Sequence, residues 1–164
     1  MLSAPELLTG IHEVASFSSG VLSLDDWLKR RAAQNQASGA SRTFVTCEAG
    51  RVVGYYALSA SAVAPAAAQG RFRRNMPDPI PVVVLGRLAV AKTHQGQGLG
   101  RALFQDAGRR AIYAAEAIGI RGLLVHALSD EAKAFYVSLG LDVSPLEPMT
   151  LMVTIADLRA ALAG

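Results

Sequence analysis

Charged side chains, cysteine and long apolar runs are all scarce in this sequence. Charged residues make up 18% of the 164 positions and apolar residues 51%, which excludes an intrinsically disordered chain and predicts a compact globular one. No apolar run approaches the roughly 20 residues that a membrane-spanning helix needs. The only cysteine, Cys47, has no partner with which to form an internal disulfide.

The first residues, Met-Leu-Ser-Ala-Pro-Glu, lack the basic and apolar regions of a secretion signal. Together with the single cysteine, this predicts a cytoplasmic protein. Metal motifs are also missing, because His94 and His126 lack ligand spacing and no Cys, Asp or Glu cluster accompanies them. We therefore expect no bound metal and a solvated loop position for His94. His126 is expected to be a core residue, a capping residue or a base that acts through water.

Residues 82–101 carry the most informative pattern. An apolar β-type run (82–90) is followed by a short polar link (91–94) and by glycines at alternate positions, Gly96, Gly98 and Gly100. Glycines allow backbone N–H groups to approach a ligand with no Cβ in the way, and the following helix directs its unpaired N–H groups to the same place. The pattern predicts a site for a phosphate or pyrophosphate.

Two common phosphate-binding motifs do not fit these glycines. A P-loop requires Lys and then Ser or Thr after its last glycine, whereas Arg101 and Ala102 follow Gly100 here. A dinucleotide fingerprint requires Gly-x-Gly-x-x-Gly, which the alternate spacing does not match. The spacing Gln95-x-x-Gly98-x-Gly100 after an apolar strand instead resembles the acyl-CoA signature of the GNAT superfamily of N-acetyltransferases.

The remaining periodicities predict a single domain, residues 1–164, of mixed α/β class with a central parallel βαβ unit. This agrees with the GNAT fold that the resemblance implies, in which the sheet is mostly antiparallel. Ser23 and Asp26 are typical of a capping box at a helix start, and Gly39 is typical of a helix end. Gly54, within a predicted strand, indicates a bulge or a close backbone approach. In order, the predicted elements are an irregular N-terminal segment, a helix to about 39, strands 42–48 and 51–63, a loop 64–79, a strand from 80, a helix 98–118, a strand 121–127, a helix 129–140, a strand 149–155 and a helix 156–162.

The resemblance to GNAT enzymes implies acetyl-CoA as co-substrate and identifies its expected contacts. Backbone N–H groups of residues 88–90 are expected to polarise the thioester carbonyl, and Ser129 stands where many family members carry an Asn. Leu141 likewise replaces a Phe of the family's motif. The expected cofactor-binding residues are Leu88, Ala89, Val90, Gln95, Gly96, Gly98, Gly100, Arg101 and Ser129.

Tyr136 is the predicted catalytic residue. It matches the family's usual general acid in the run Ser129-Asp-Glu-Ala132-Lys-Ala-Phe-Tyr136-Val-Ser-Leu-Gly140. A phenol with a pKa of about 10 stays protonated at neutral pH and is suited to protonating a thiolate leaving group. Without the upstream glycine motif, the same helical spacing also describes an ordinary core tyrosine.

A narrower resemblance covers nearly the whole chain and is to the GNAT toxins of bacterial toxin–antitoxin modules. It implies acetylation of the α-amine of aminoacyl-tRNA, inhibition of translation, a ribbon-helix-helix antitoxin as partner and a homodimer. The strings that carry it are Ser23-Leu-Asp-Asp-Trp-Leu28, Asn35-Gln-Ala-Ser-Gly-Ala-Ser-Arg-Thr-Phe44, Val53-Gly-Tyr-Tyr-Ala57, Arg74-Asn-Met-Pro-Asp-Pro-Ile-Pro81, Leu85-Gly-Arg-Leu-Ala-Val90 and Pro148-Met-Thr-Leu-Met152.

The charges and the missing base fit such a substrate. The formal net charge is +3, and the basic residues Lys29, Arg30, Arg71, Arg73 and Arg74 either hold tRNA phosphates or form ordinary solvated faces. The strand 82–90 has no carboxylate or histidine to act as a base. At pH 7 an α-amine is roughly 10–17% neutral and a lysine amine about 0.04%, so an α-amine is favoured, on tRNA or on a protein N-terminus.

Three alternatives remain open from the residues. Arg87, a charge within an apolar run, either points into the acceptor groove or pairs with an acid such as Glu48. The enzyme either acts on charged tRNA or is a GNAT that acetylates a protein N-terminus or a small amine. The third alternative is that the protein is not an enzyme but a non-catalytic acyl-CoA-binding or partner-docking module.

Overall fold

The computed structural model describes residues 1–163, which form a mixed α/β structure. They include two short 3-10 helices, Pro65–Ala67 and Lys92–His94. No helix among these residues is long and apolar enough to cross a membrane. In chain order the elements are β1 (Glu6–Leu7), α1 (Leu22–Arg30), α2 (Ala32–Ser38), β2 (Arg42–Glu48), β3 (Arg51–Val63), α3 (Gly70–Arg73), β4 (Ile80–Val90), α4 (Leu99–Ala115), β5 (Gly122–His126), α5 (Asp130–Ser138), β6 (Asp142–Val143), β7 (Thr150–Thr154) and α6 (Ile155–Ala163).

The strands form one sheet in the order β1-β2-β3-β4-β5-β7-β6. The pairs β1–β2, β2–β3, β5–β7 and β6–β7 are antiparallel. Strands β4 and β5 are parallel, with a register that runs from Val82 opposite Gly122 to Leu85 opposite Val125. A helix connects these two strands, as a parallel pair requires. The predicted mixed sheet with a central parallel βαβ unit is confirmed.

The chain divides into two compact units, the first made of Met1–Ser59 and Gly86–Ala107. Its core is built around Tyr55, whose ring is stacked at 6.0 Å on Trp27 and meets Phe17 edge-on at 5.6 Å. The β2–β3 register shifts between Thr46 and Cys47, and a Cβ on Gly54 would lie 3.0 Å from a methyl carbon of Leu103. The bulge expected at Gly54 is therefore confirmed, and the atoms that approach this glycine closely belong to side chains and not to another backbone.

The second unit is made of Ala60–Leu85 and the chain from Gly108 onward. Phe72 of α3 is 1% exposed and covers Gly122 of β5, where a Cβ would come within 2.5 Å of the Phe72 ring. The Arg121 guanidinium donates to the backbone oxygens of Phe72 and Arg71, both at 2.8 Å. These contacts hold α3 against β5.

Two local predictions are wrong. Helix α1 begins at Leu22 after an extended Val21, so Ser23 is not its N-cap. Asp25, the first carboxylate of the helix, accepts hydrogen bonds from the N–H and the hydroxyl of Ser19. The predicted loop 64–79 contains a 3-10 turn and α3, because burial of Phe72 stabilises a helical turn that local sequence does not predict. The predicted helix end at Gly39 is confirmed, with φ of 84°.

Candidate active site

The glycine-rich segment forms a tight connection between β4 and α4. Gly96 and Gly98 have φ values of 78° and 83°, a left-handed conformation that costs other residues about 1–2 kcal/mol. A Cβ built on either glycine would have no heavy atom within 4 Å, so the space beside both is open. Glycine is thus required here by the backbone, and the backbone N–H groups are accessible to a ligand.

The start of α4 is fixed by packing in the first unit. Leu99 and Leu103, in the first two turns of α4, lie against Gly54 of β3. The first N–H groups of an α-helix have no partner within the helix and carry its positive dipole end. Arg101, in the same turn, is exposed and adds a full positive charge. This arrangement suits a phosphate or pyrophosphate.

The side chain of Gln95 holds the segment in place, a role that sequence reasoning missed. Its Nε2 donates to the backbone oxygen of Ser19 at 2.7 Å and to that of Val90 at 2.9 Å. The Ala91 N–H donates to the Val53 oxygen at 2.8 Å, so the chain is anchored on both sides of the turn. The end of β4 and the beginning of the glycine segment are therefore one rigid connection.

His94 differs from its prediction as a solvated loop residue. It is half-buried, and its Nε2 is hydrogen-bonded to the Glu48 carboxylate, while its Nδ1 lies 2.7 Å from the Thr93 hydroxyl. The hydrogen bond and the charge of His94 lower the pKa of Glu48 below its ordinary range. A cavity of about 400 Å³ adjoins this pair and is lined by residues that include Phe17, Val53 and Ala91.

Arg87 pairs with an aromatic ring and not with Glu48. Its guanidinium carbon lies 4.4 Å from the centroid of the Trp27 ring, and the residue is half-buried in β4. Glu48, the predicted alternative partner, is engaged by His94. Trp27 lies 60 positions away in sequence, so only the tertiary fold brings the two together.

The other strand residues expected to meet the thioester lie beside Arg87. Ala89 is buried in the core of the first unit, and Leu88 and Val90 are half-buried. The β4–β5 register ends at Leu85, so residues 86–90 form the part of β4 that follows the paired segment. The N–H groups of residues 88–90 remain the predicted carbonyl contacts.

Tyr136 lies in α5 of the second unit and is 7% exposed. Burial raises the pKa of its phenol to about 12, so the side chain remains protonated throughout the physiological range. The Phe135 ring lies edge-on to it at 5.2 Å. Tyr136 is thus a buried phenol that stays neutral and lies beside an aromatic ring.

Ser129 is the N-cap of α5, at the start of the helix predicted from 129. Its hydroxyl oxygen accepts a hydrogen bond from the Ala132 N–H at 3.1 Å, which leaves the hydroxyl proton available as a donor. His126, at the end of β5, is exposed and lies 3.0 Å from the Thr150 hydroxyl through Nδ1. The core position predicted for His126 is therefore wrong, while its place at a strand end is as expected.

The basic residues lie on the surface of their respective units. In the first unit, Lys29 and Arg30 are exposed in the last turn of α1. In the second, Arg73 and Arg74 are exposed, while Arg71 pairs with Asp157 at 3.3 Å. Among residues 1–163 no group of three or more His, Cys, Asp or Glu side chains is placed to hold a metal ion.

Comparisons with known proteins identify relatives and solved structures that are similar to nearly the whole of this chain. A protein of Mycobacterium tuberculosis described as a tRNA-acetylating toxin is 54% identical over 160 residues, which cover 98% of this chain and 96% of that protein. The solved structure of AtaT complexed with acetyl-methionyl-tRNAfMet has a TM-score of 0.90 and 29% identity, covering 98% of both chains. A Tyr-to-Phe mutant of AtaT bound to acetyl-CoA and the C-terminus of its antitoxin AtaR has a TM-score of 0.86 and 28% identity, covering 100% of this chain and 99% of the other.

The family assignment follows from a match to the central part of the chain. The model of the acetyltransferase (GNAT) domain matches residues 39–140, which include the hairpin β2–β3, the glycine segment and Tyr136. This chain belongs to the GNAT acetyltransferase family.

Proposed function

We propose that this protein is an acetyl-CoA-dependent N-acetyltransferase toxin that acetylates the α-amine of aminoacyl-tRNA and thereby inhibits translation in the cytoplasm. The observation that carries the proposal is the 54% identity, over 98% of the chain, to a tRNA-acetylating toxin. The structural similarity to AtaT in complex with acetyl-methionyl-tRNAfMet supports the same substrate class.

The glycine segment binds the pyrophosphate of acetyl-CoA. The open space beside Gly96 and Gly98 admits the ligand, and the first turn of α4 supplies N–H groups and the charge of Arg101. Gln95 holds this turn in the binding conformation. The thioester then lies along residues 88–90, whose N–H groups polarise its carbonyl oxygen.

The transfer exchanges a C–S bond for a C–N bond. The neutral α-amine attacks the thioester carbonyl carbon, the C–S bond breaks, and the thiolate of CoA takes a proton from the Tyr136 hydroxyl. The amine nitrogen loses one proton to water as the amide forms, and the Tyr136 phenolate is reprotonated from solvent. Proton transfer from a phenol to a thiolate needs no metal or redox partner.

The chemistry of the amine explains why the strand needs no general base. An α-amine with a pKa of about 7.7–8.0 is already partly neutral at pH 7, and an adjacent ester carbonyl lowers its pKa further. Aminoacyl-tRNA carries such an amine next to an ester. A lysine side chain, with a pKa of about 10.4, would require a base to remove its proton.

The tRNA is held by its phosphates. Lys29 and Arg30 of α1, and Arg73 and Arg74 after α3, are exposed cations that can contact the backbone of a nucleic acid. The complexes of AtaT with its antitoxin AtaR support a protein antitoxin as the natural inhibitor of this chain as well.

The proposal is tested by incubating the protein with labelled acetyl-CoA and a pool of charged tRNA. Label is expected on charged tRNA and not on uncharged tRNA or on peptides with free N-termini. Labelling of peptides alone would establish an N-terminal acetyltransferase instead. If CoA binds and no acceptor is labelled, the protein is a binding module and not an enzyme.

A further inference from the structure

Arg87 is a half-buried cation that has no acidic partner in the part of the chain that the structure describes. The electron-rich face of the Trp27 ring lies 4.4 Å from its guanidinium carbon. No carboxylate among residues 1–163 lies within 4 Å of it, and no side-chain hydrogen bond from it is formed within those residues. A guanidinium has five N–H donors, so most of its binding capacity is unused.

The Asp25 and Glu48 carboxylates make their contacts with residues other than Arg87. The buried Asp25 carboxylate accepts from the Ser19 N–H at 3.0 Å and from the Ser19 hydroxyl at 2.6 Å. Glu48 is bound by His94. A cation–π contact contributes about 0.5–2 kcal/mol and is not an ion pair, so the guanidinium remains able to pair with an anion. The site therefore favours an anion.

Trp27 orients the guanidinium as well as attracting it. The indole is 8% exposed and is fixed by parallel stacking on Tyr55, whose hydroxyl donates to the Leu24 oxygen at 2.7 Å. The guanidinium lies over the face of this fixed ring, and its N–H donors form a planar fork. That fork matches two oxygens of a phosphate, which a lysine ammonium does not.

The position of Arg87 relates this anion site to the acyl transfer. It lies one residue before Leu88 in β4, and successive Cα atoms of a strand are only about 3.3 Å apart along its axis. Arg87 and Ala89 are two positions apart in the strand, so their side chains lie on the same face of β4. This is the face that packs on α1, because Ala89 and Trp27 belong to the same core. The last turn of α1 carries the exposed Lys29 and Arg30. An acceptor approaching along α1 thus meets Arg87 beside the thioester.

We propose that Arg87, held over the face of the Trp27 ring, binds the phosphate of the terminal nucleotide of aminoacyl-tRNA and so selects aminoacylated nucleotides over other α-amines. The inference rests on the proposed function and adds the specificity determinant to it. The α-amine of a charged tRNA is separated from that phosphate by one amino acid and one ribose. A peptide N-terminus offers the same amine without an anion at that place.

Two small acceptors that differ in one group test this inference. The first is an aminoacyl ester of adenosine, and the second is the same ester of adenosine 5′-monophosphate. A charge-assisted hydrogen bond contributes about 1.5–3 kcal/mol, so we expect the wild type to prefer the phosphorylated acceptor by about 10- to 150-fold in kcat/KM. Arg87→Gln should abolish the preference by lowering kcat/KM for the phosphorylated acceptor only.

Two further variants complete the design. Arg87→Lys keeps the charge but not the fork, and should retain part of the preference. Arg51→Gln removes an exposed arginine of the same unit and should leave the preference at the wild-type value. With charged tRNA, Arg87→Gln should also reduce the slope of log affinity against log salt by about 1.

The outcomes separate this inference from the proposed function. If the wild type acetylates charged tRNA but treats the two small acceptors equally, or if Arg87→Gln lowers both rates by one factor, the inference is overturned while the proposed function stands. If the wild type acetylates peptides and not charged tRNA, the proposed function fails and the inference fails with it.

Discussion

The side-chain amide of Gln95 donates to the backbone oxygen of Val90 at 2.9 Å, across the turn that joins β4 to the glycine segment. Because the same nitrogen also donates to Ser19, this side chain connects three pieces of backbone around the proposed acetyl-CoA site. The relation explains why a glutamine, and not only glycines, belongs to the motif.

Replacing Gln95 by Ala should weaken acetyl-CoA binding without affecting the chemical step. Each hydrogen bond contributes about 0.5–1.5 kcal/mol, so losing both should raise KM for acetyl-CoA about tenfold with kcat nearly unchanged. Steady-state kinetics of the variant measure this. Gln97→Ala, at a neighbouring exposed position, is the control, and an equal effect of both variants would contradict the role of Gln95.

A methyl group at Gly98 should block the co-substrate. Gly98 and Gly39 have nearly the same φ, 83° and 84°, and both have open space where a Cβ would lie. Ala at either position should cost about 1–2 kcal/mol of stability, visible as similar losses in melting temperature. Only Gly98→Ala should lose CoA affinity in calorimetry, by tenfold or more. CoA affinity that is equal in the two variants would place the ligand elsewhere.

Tyr136→Phe should abolish turnover while preserving binding. A general acid contributes about 10²- to 10⁴-fold, so kcat should fall by that factor with little change in CoA affinity. Tyr113→Phe, at a tyrosine of α4 that is 77% exposed, should behave as the wild type. A kcat for Tyr136→Phe within threefold of the wild type would exclude the phenol as the acid.

The pH dependence of the reaction rate should follow the titration of the substrate α-amine and not that of the Tyr136 phenol. Burial raises the pKa of Tyr136 to about 12, so the acid is almost fully protonated at neutral and mildly alkaline pH. The rate should therefore rise with pH through the pKa of the α-amine and then level off. A decline between about pH 8 and pH 9 in rate profiles corrected for ester hydrolysis would assign the acid to a group of lower pKa.

The Glu48–His94 pair should stabilise the first unit in a pH-dependent way. The folded-state pKa of Glu48 lies below its ordinary value of 4.5, so its contribution is present above that pH and is lost as the pH falls through the lowered folded value. Thermal unfolding should show a deficit for Glu48→Gln near neutral pH that shrinks in acid. Glu116→Gln, at an exposed glutamate, should show no such trend.

Local rules predicted the turns and caps that depend on a few neighbouring residues. The helix end at Gly39 was predictable because a positive φ favours glycine, and Gly98 because a glycine without a Cβ lets a ligand approach the backbone. The bond from the Ala132 N–H to the Ser129 hydroxyl is likewise a contact between near neighbours at a helix start. The parallel β4–β5 pair followed from the helical segment between two apolar runs. These features require no knowledge of distant contacts.

Contacts between distant residues account for what sequence could not predict. Arg87 has Trp27 as its neighbour, 60 positions away, and the local pattern gave no reason to prefer that ring over Glu48. The helical turn around Phe72 exists because its ring covers Gly122, which lies in another strand. Ser23 failed as a cap because Val21 and Leu22 precede it in a conformation that starts the helix earlier.

The most direct test of the central claim is the mass of the 3′-terminal nucleoside of charged tRNA after reaction with acetyl-CoA. Nuclease digestion releases this nucleoside with its amino acid still esterified, and fragmentation locates any added group. We predict a gain of one acetyl group on the amino-acid nitrogen with the wild type and none with Tyr136→Phe. An unmodified aminoacyl nucleoside, found together with acetylated peptides from the same incubation, would contradict the account.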